Sequence, residues 1–262
     1  MNKSIKVLLS LCVVLSLSSL VGCESLKTAS VNTKDTYARP LPASGFIENS
    51  DRMINRANLP FQQSWFKPTL VLADYSEIVI APVNTQYMRQ MSWLHRLGTA
   101  NWMRNVPRDI EDLALYFQRQ VAKEFRLDPN KRFRVLDIPQ QHQAGQRTLR
   151  LELALIEINP SKPVLHALGW VAPMGTGAAT GFINQRRASF EGRLRDVQTN
   201  EIVATFADRD MQDVGPLDLT RLTWYGPAKG IMDRWAQQFV QIANRQPGEA
   251  VRDPIPFTLR PF

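Results

Sequence analysis

Ala188-Ser189-Phe190-Glu191-Gly192-Arg193-Leu194-Arg195-Asp196 is followed, after Gln198-Thr199-Asn200, by a second patterned run from Glu201 to Asp210. Successive side chains of a strand point to opposite faces, so Phe190, Gly192 and Leu194 share one face of the first run. Ile202, Ala204 and Phe206 share one face of the second. The two runs predict a β-hairpin that turns at 198–200. Upstream, Leu149, Leu151, Leu153 and Leu155 alternate with Arg150, Glu152 and Ala154, which predicts a neighbouring strand over 149–158.

Working outward, Ile78-Val79-Ile80-Ala81-Pro82-Val83 reads as an earlier strand, with Pro82 at its end because proline lacks an N–H. Phe133–Ile138 reads as another. Ile110, Leu113, Ala114, Phe117, Val121 and Phe125 recur at helical spacing, with Pro107 and Asp109 suited to the first turn of a helix over 107–126. Ile231, Trp235, Phe239 and Ile242 predict a second helix over 228–244. The order β-α-β-β-β-β-α predicts an α+β fold: an antiparallel-rich sheet of about five strands with two helices packed on one face.

The N-terminus carries a different signal. Lys3 and Lys6 precede an apolar run from Val7 to Leu17, and Leu20-Val21-Gly22-Cys23 follows. A charged region, a short apolar region and a small residue before a cleavage point make a secretory signal. The run is too short to remain as a membrane-spanning helix. The four residues resemble the bacterial lipobox, which implies cleavage before Cys23 and lipidation of its thiol. The resulting organisation is a signal peptide over 1–22, a lipidated cysteine and tether over 23–60, a periplasmic α+β domain over 61–246 and a Pro-rich tail over 247–262. Within the tether, Ser44–Ile47 and Leu59–Phe61 are apolar enough to pack onto the domain.

Composition narrows the function. The chain has 262 residues, two cysteines and a formal charge of +8. Cleavage would remove Cys12, Lys3 and Lys6, leaving about +6 and a single cysteine consumed by lipid. No disulfide, thiol nucleophile or cysteine zinc site is then expected. The arginines are scattered rather than gathered in a stripe with stacking aromatics, so nucleic acid is not an expected partner. His95, His142 and His166 lie on separate connections, and no metal or other cofactor is expected from them. No Gly-x-Ser-x-Gly, His-Glu-x-x-His or phosphate-binding glycine loop is present. Asp208, Asp210 and Asp213 are spaced to hold a cation, but they lack the glycine turn and distant glutamate of a calcium loop. They read as structural.

The lipobox, Ser44-Gly45-Phe46, a strand ending in Ala81-Pro82-Val83, and the hairpin Phe190–Asp196 closing on Asp208-Arg209 together resemble the bacterial lipoproteins filed as domain of unknown function 3313. The resemblance spans about residues 44–244 and brings no catalytic residues with it, since such families have no settled activity. The strand order is also similar to the amino-terminal domain of TolB and to periplasmic domains of curli-secretion and penicillin-binding-protein-activator lipoproteins, at the level of fold only. Glu24 stands where aspartate implies inner-membrane retention in bacterial lipoproteins, so the resemblance implies the outer membrane.

Two connections stand out. Residues 86–105 set Arg89, Arg96 and Arg104 beside Trp93 and Trp102, with Tyr87, Met88, Met91 and Leu94 on one helical face. Residues 163–183 carry no Asp, Glu, Lys or Arg after Pro163, and contain Trp170 and a Gly177/Gly181 small-residue pair. They are read as an interaction surface, the alternatives being a loop whose aromatics cover the sheet edge for 86–105 and a loop folded over its own sheet for 163–183. The expected role is a non-enzymatic envelope lipoprotein, held to the membrane through its lipid, whose domain engages an envelope protein or another copy of itself. The rival readings are a ligand-binding or envelope-stress accessory protein, and an enzyme whose site is invisible in sequence.

Overall fold

The computed structural model describes residues 40–89, 106–138, 143–159, 187–211, 225–246 and 248–252. The strands are β1 (Gln63–Phe66), β2 (Tyr75–Ile80), β3 (Arg134–Leu136), β4 (Arg147–Ile158), β5 (Arg187–Asp196) and β6 (Ile202–Met211). The helices are α1 (Val106–Leu127) and α2 (Gly226–Asn244). The strands form one sheet in the order β1-β6-β5-β4-β2-β3. The α+β class holds, and the predicted meander is β4-β5-β6, paired antiparallel throughout.

The sheet departs from the expectation in two respects. It has six strands, because β1 adds to the outer edge of β6, pairing Gln63 with Ala207 and Phe66 with Ala204. It is mixed rather than antiparallel-rich, because β2 pairs in parallel with both β3 and β4. A helix between two strands returns the chain to its starting end, so β2-α1-β3 imposes a parallel pair.

One face of the sheet carries both helices. Leu149, Leu151, Leu153 and Leu155 of β4 join Phe190 and Leu194 of β5, Ala204 and Phe206 of β6, and the predicted apolar stripes of α1, apart from Ile110, and of α2 in one core. Trp235 lies at its centre with no exposed surface; its ring is 4.7 Å from Phe190 and 5.7 Å from Phe117. Edge-on ring pairs at such distances add to the gain from burial. Gly192 sits opposite Leu153, and a Cβ there would fall 2.9 Å from the Leu153 side chain, so a bare backbone is what lets the two strands share the core. A bulge between Leu155 and Glu157 shifts the alternation, so Ile156 stays with Ala154 on the other face while Ile158 joins the helix-side core.

That other face holds a second cluster. Phe46, Ile47 and Met53 pack on Ala154 and Ile156, joined by Trp65 and Tyr87. The anchor is Glu191, whose carboxylate accepts from the Ser44 N–H and hydroxyl, both at 2.8 Å, and from the Ile47 N–H. Ser44–Ile47 and Leu59–Phe61 therefore pack as their sequence suggested. At the other end of the described chain, Val251 is buried and its N–H donates to Asn58 O. No helix among the described residues is long and apolar enough to cross a membrane.

Candidate functional site

Of the residues read as functional, Cys23, Trp93, Arg96, Trp102, Trp170, Gly177 and Gly181 lie outside the described residues, as do His95, His142, His166 and Asp213. Arg89 is described, and it is exposed. Its N–H donates to Ile156 O and its guanidinium to Pro42 O, both at 2.9 Å. Asn84 continues the β2 edge by pairing in parallel with Ala154. The stretch 86–89 is a turn rather than the start of a helix: Tyr87 reaches the Phe46 cluster and Met88 reaches the helix-side core. Arg89 is thus fastened to the end of β4 and to the segment at Pro42.

Asp208-Arg209-Asp210 alternates across the sheet, so Asp208 and Asp210 share the helix-side face and Arg209 turns to the other. Asp208 is buried; its carboxylate accepts from Trp235 Nε1 at 2.7 Å and from the Gln62 N–H at 3.1 Å. Asp210 pairs with Arg234 at 2.9 Å, and Arg209 with Glu157 at 2.7 Å. Among the described residues, no group of three or more His, Cys, Asp or Glu is placed to hold a metal. A second ionic group spans β4 and β5, where Glu152 receives Arg193, Arg195 and Arg150. Arg193 also stacks 4.6 Å from the Phe46 ring, tying that group to the packed N-terminal segment.

Three more buried carboxylates close other parts of the fold. Asp196 accepts from Tyr75 Oη at 2.8 Å, Arg147 at 2.6 Å, and the N–H groups of Gln198 and Thr199. Glu77 is held by Arg134, Thr148 and the Gln143 N–H. Asp128 caps the turn after α1 and takes Asn244 from the end of α2 at 2.9 Å. Burial opposes the charge on each, but the donated hydrogen bonds outweigh it and hold all three below the usual carboxylate range. Burial, with the Asp196 hydrogen bond, pushes the Tyr75 hydroxyl up to about 12. Burial and the Asp109 charge push Tyr225 to about 12.

A stability profile with two limbs follows. The depressed carboxyls contribute stability above their unfolded pKa, near about 4, and that stability is lost as pH falls through their folded values. The raised tyrosines contribute below about pH 10, and that stability is lost as pH rises toward their folded values. Thermal melts from pH 2 to pH 11 check this. A melting temperature unchanged below about pH 4 would contradict the acid limb.

The described residues also enclose an open cleft of about 320 Å³. Leu149, Leu151, Leu194 and Phe206 floor it, and Phe125 of α1 and Phe239 of α2 wall it. Arg245 and Gln246, directly after α2, stand at its rim. No sequence signal marked it, because its lining comes from both helices, five strands and the loop at Leu70–Leu72.

The family model described as "Protein of unknown function (DUF3313)" matches residues 42–239. The chain belongs to that family. The DUF3313 match starts in the segment that Glu191 holds and ends inside α2, so it includes both packed faces of the sheet. No curated protein matches the chain. Among solved structures, a PelC dodecamer from Paraburkholderia phytofirmans is 11% identical over 67% of this chain and 95% of that one, with a TM-score of 0.36. A variant PelC dodecamer from the same organism is 10% identical over the same shares, with a TM-score of 0.35. The similarity to TolB is not among what these comparisons show.

Proposed function

We propose that this DUF3313 chain is a non-enzymatic lipoprotein of the cell envelope. Its lipidated Cys23 holds it to the periplasmic face of the outer membrane, and its α+β domain serves as a protein-interaction or assembly module. The observation that carries the anchoring is the run Lys3, Lys6, Val7–Leu17 and Leu20-Val21-Gly22-Cys23. The reading of the domain is supported by how its chemistry is used. The buried carboxylates Glu77, Asp128, Glu191, Asp196, Asp208 and Asp210 all receive hydrogen bonds that join one element or turn to another. The partner surface is assigned to Arg89, Trp93, Arg96, Trp102, Trp170, Gly177 and Gly181, where arginine and tryptophan supply the side chains that most often dominate interface energy.

Replacing Cys23→Ser tests the anchor. Each buried acyl methylene contributes about 0.8 kcal/mol, so multiple chains hold a protein stably and their loss releases it. The expected result is loss of palmitate label and movement of the protein out of the membrane fraction. Label that persists in the variant would overturn the assignment. A Trp93→Ala/Trp102→Ala pair should abolish crosslinking to an envelope partner while the melting temperature stays unchanged. A pair that instead unfolds the domain would make those residues core.

A further inference from the structure

The cleft between the sheet and the C-terminal ends of the two helices is apolar within and cationic at its rim. Phe66 lines it, and the guanidinium groups of Arg56 and Arg245 each lie 5.8 Å from the Phe66 ring centre. These two cations converge from distant parts of the chain on one spot. Burial and the Arg56 charge both lower the Arg245 pKa, so the pair is held together against repulsion. Arg56 Nε and Arg245 Nη1 are buried and have no hydrogen-bond acceptor. One carboxylate acts on Arg245, that of Glu249, and its Oε2 already accepts from the Gln246 N–H at 2.8 Å in an exposed position. Arg245 lines the cleft and Arg56 stands beside it across the Phe66 ring, so an anion at the rim would offset the repulsion between the two cations.

The volume of about 320 Å³ falls at the low end of the range of about 300–1,000 Å³ common to small-molecule sites. A cavity lined by Leu and Phe favours an apolar guest over water. We propose that the cleft binds a free long-chain carboxylate: its alkyl chain lies between the sheet and the helices, and its carboxylate rests on Arg56 and Arg245. This site is independent of how the protein is anchored and of the partner surface proposed above.

The test is calorimetric titration of the full chain carrying Cys23→Ser, which removes any acyl group of its own. The probes are dodecanoate, dodecanol and dodecyltrimethylammonium, each below its micellar concentration. Dodecanoate should bind once per chain and at least about tenfold more tightly than dodecanol, with the cation weakest. Decanoate, two methylenes shorter, should bind more weakly by on the order of tenfold. Arg56→Gln with Arg245→Gln should erase the preference for the carboxylate and leave dodecanol binding intact, which also reports that the cleft is still formed. Ala243→Phe, which fills the cleft from α2, should block all of the probes. Equal binding of acid and alcohol, a preference that survives loss of both arginines, binding unaffected by Ala243→Phe, or no binding at all would overturn the proposal. Binding seen only after deletion of residues 253–262 would assign the cleft to the chain's own apolar C-terminus and overturn it as well.

Discussion

Trp235→Ala should lower the melting temperature by about 10–20 °C. A large aromatic removed from a core costs about 3–5 kcal/mol, through lost transfer energy and the cavity left behind. Trp235 has no exposed surface and touches rings from α1 and β5, so the surrounding wall has little freedom to collapse. A second loss accompanies the first. Asp208 Oδ2 receives Trp235 Nε1 at 2.7 Å, and a buried carboxylate deprived of a donor adds about 1–3 kcal/mol of its own. Neighbouring effects do not simply add, so a total near 5 kcal/mol is expected, at about 2–4 °C per kcal/mol for a domain of this size. Trp235→Phe separates the two terms, since it keeps a ring in the core and removes the N–H. It should cost about 1–3 kcal/mol more than the small loss of volume explains. A melting temperature within about 3 °C of the parent for Trp235→Ala would show that this aromatic centre does not hold the helices to the sheet.

Asp196→Ala should destabilise the fold by about 3–5 kcal/mol, read as a lower urea midpoint at unchanged slope. Its carboxylate is the meeting point of β2 through Tyr75, β4 through Arg147, and the β5–β6 turn through Gln198 and Thr199. Removing it strands a buried hydroxyl and two turn N–H groups, while Arg147 keeps only its exposed pair with Asp74 and its bond to Tyr75 Oη. Asp196→Asn keeps an acceptor and should lose less. The penalty of Asp196→Ala should shrink in acid, because the carboxyl of the parent is held below the usual range and its contribution disappears as pH falls through that value. A penalty that stays constant down to about pH 2 would locate the effect in packing rather than in charge.

The apolar runs at 78–83 and 133–138 announced β2 and β3, and the other legible elements were those whose residues carry a period. The alternation in β4, β5 and β6 and the helical spacing of α1 and α2 placed five of the eight elements, because one buried face repeated over ten or more residues leaves a mark in the chain. β1 left none. Gln63-Ser64-Trp65-Phe66 is short and half polar, and it becomes a strand by borrowing the edge of β6. The parallel pairing of β2 was equally silent, since alternation tells a strand which face is buried but not which way its neighbour runs. Asp208 was legible as structural, yet its donor was not, because Trp235 reads from sequence only as an apolar helix position.

The sequence by itself determined the apolar faces, the hairpin, the α+β class and the case for an exported, lipid-bearing chain. Those depend on residues adjacent or regularly spaced along the backbone, where solvent exclusion acts on a local pattern. Tertiary structure alone decided which carboxylate meets which donor, that residues 44–47 are fastened by Glu191, and that Arg56 and Arg245 converge beside an apolar cleft. Charges and cavities are matters of distance in space. Only chain closure brings together residues far apart in sequence, and a single linear pattern holds no record of that distance.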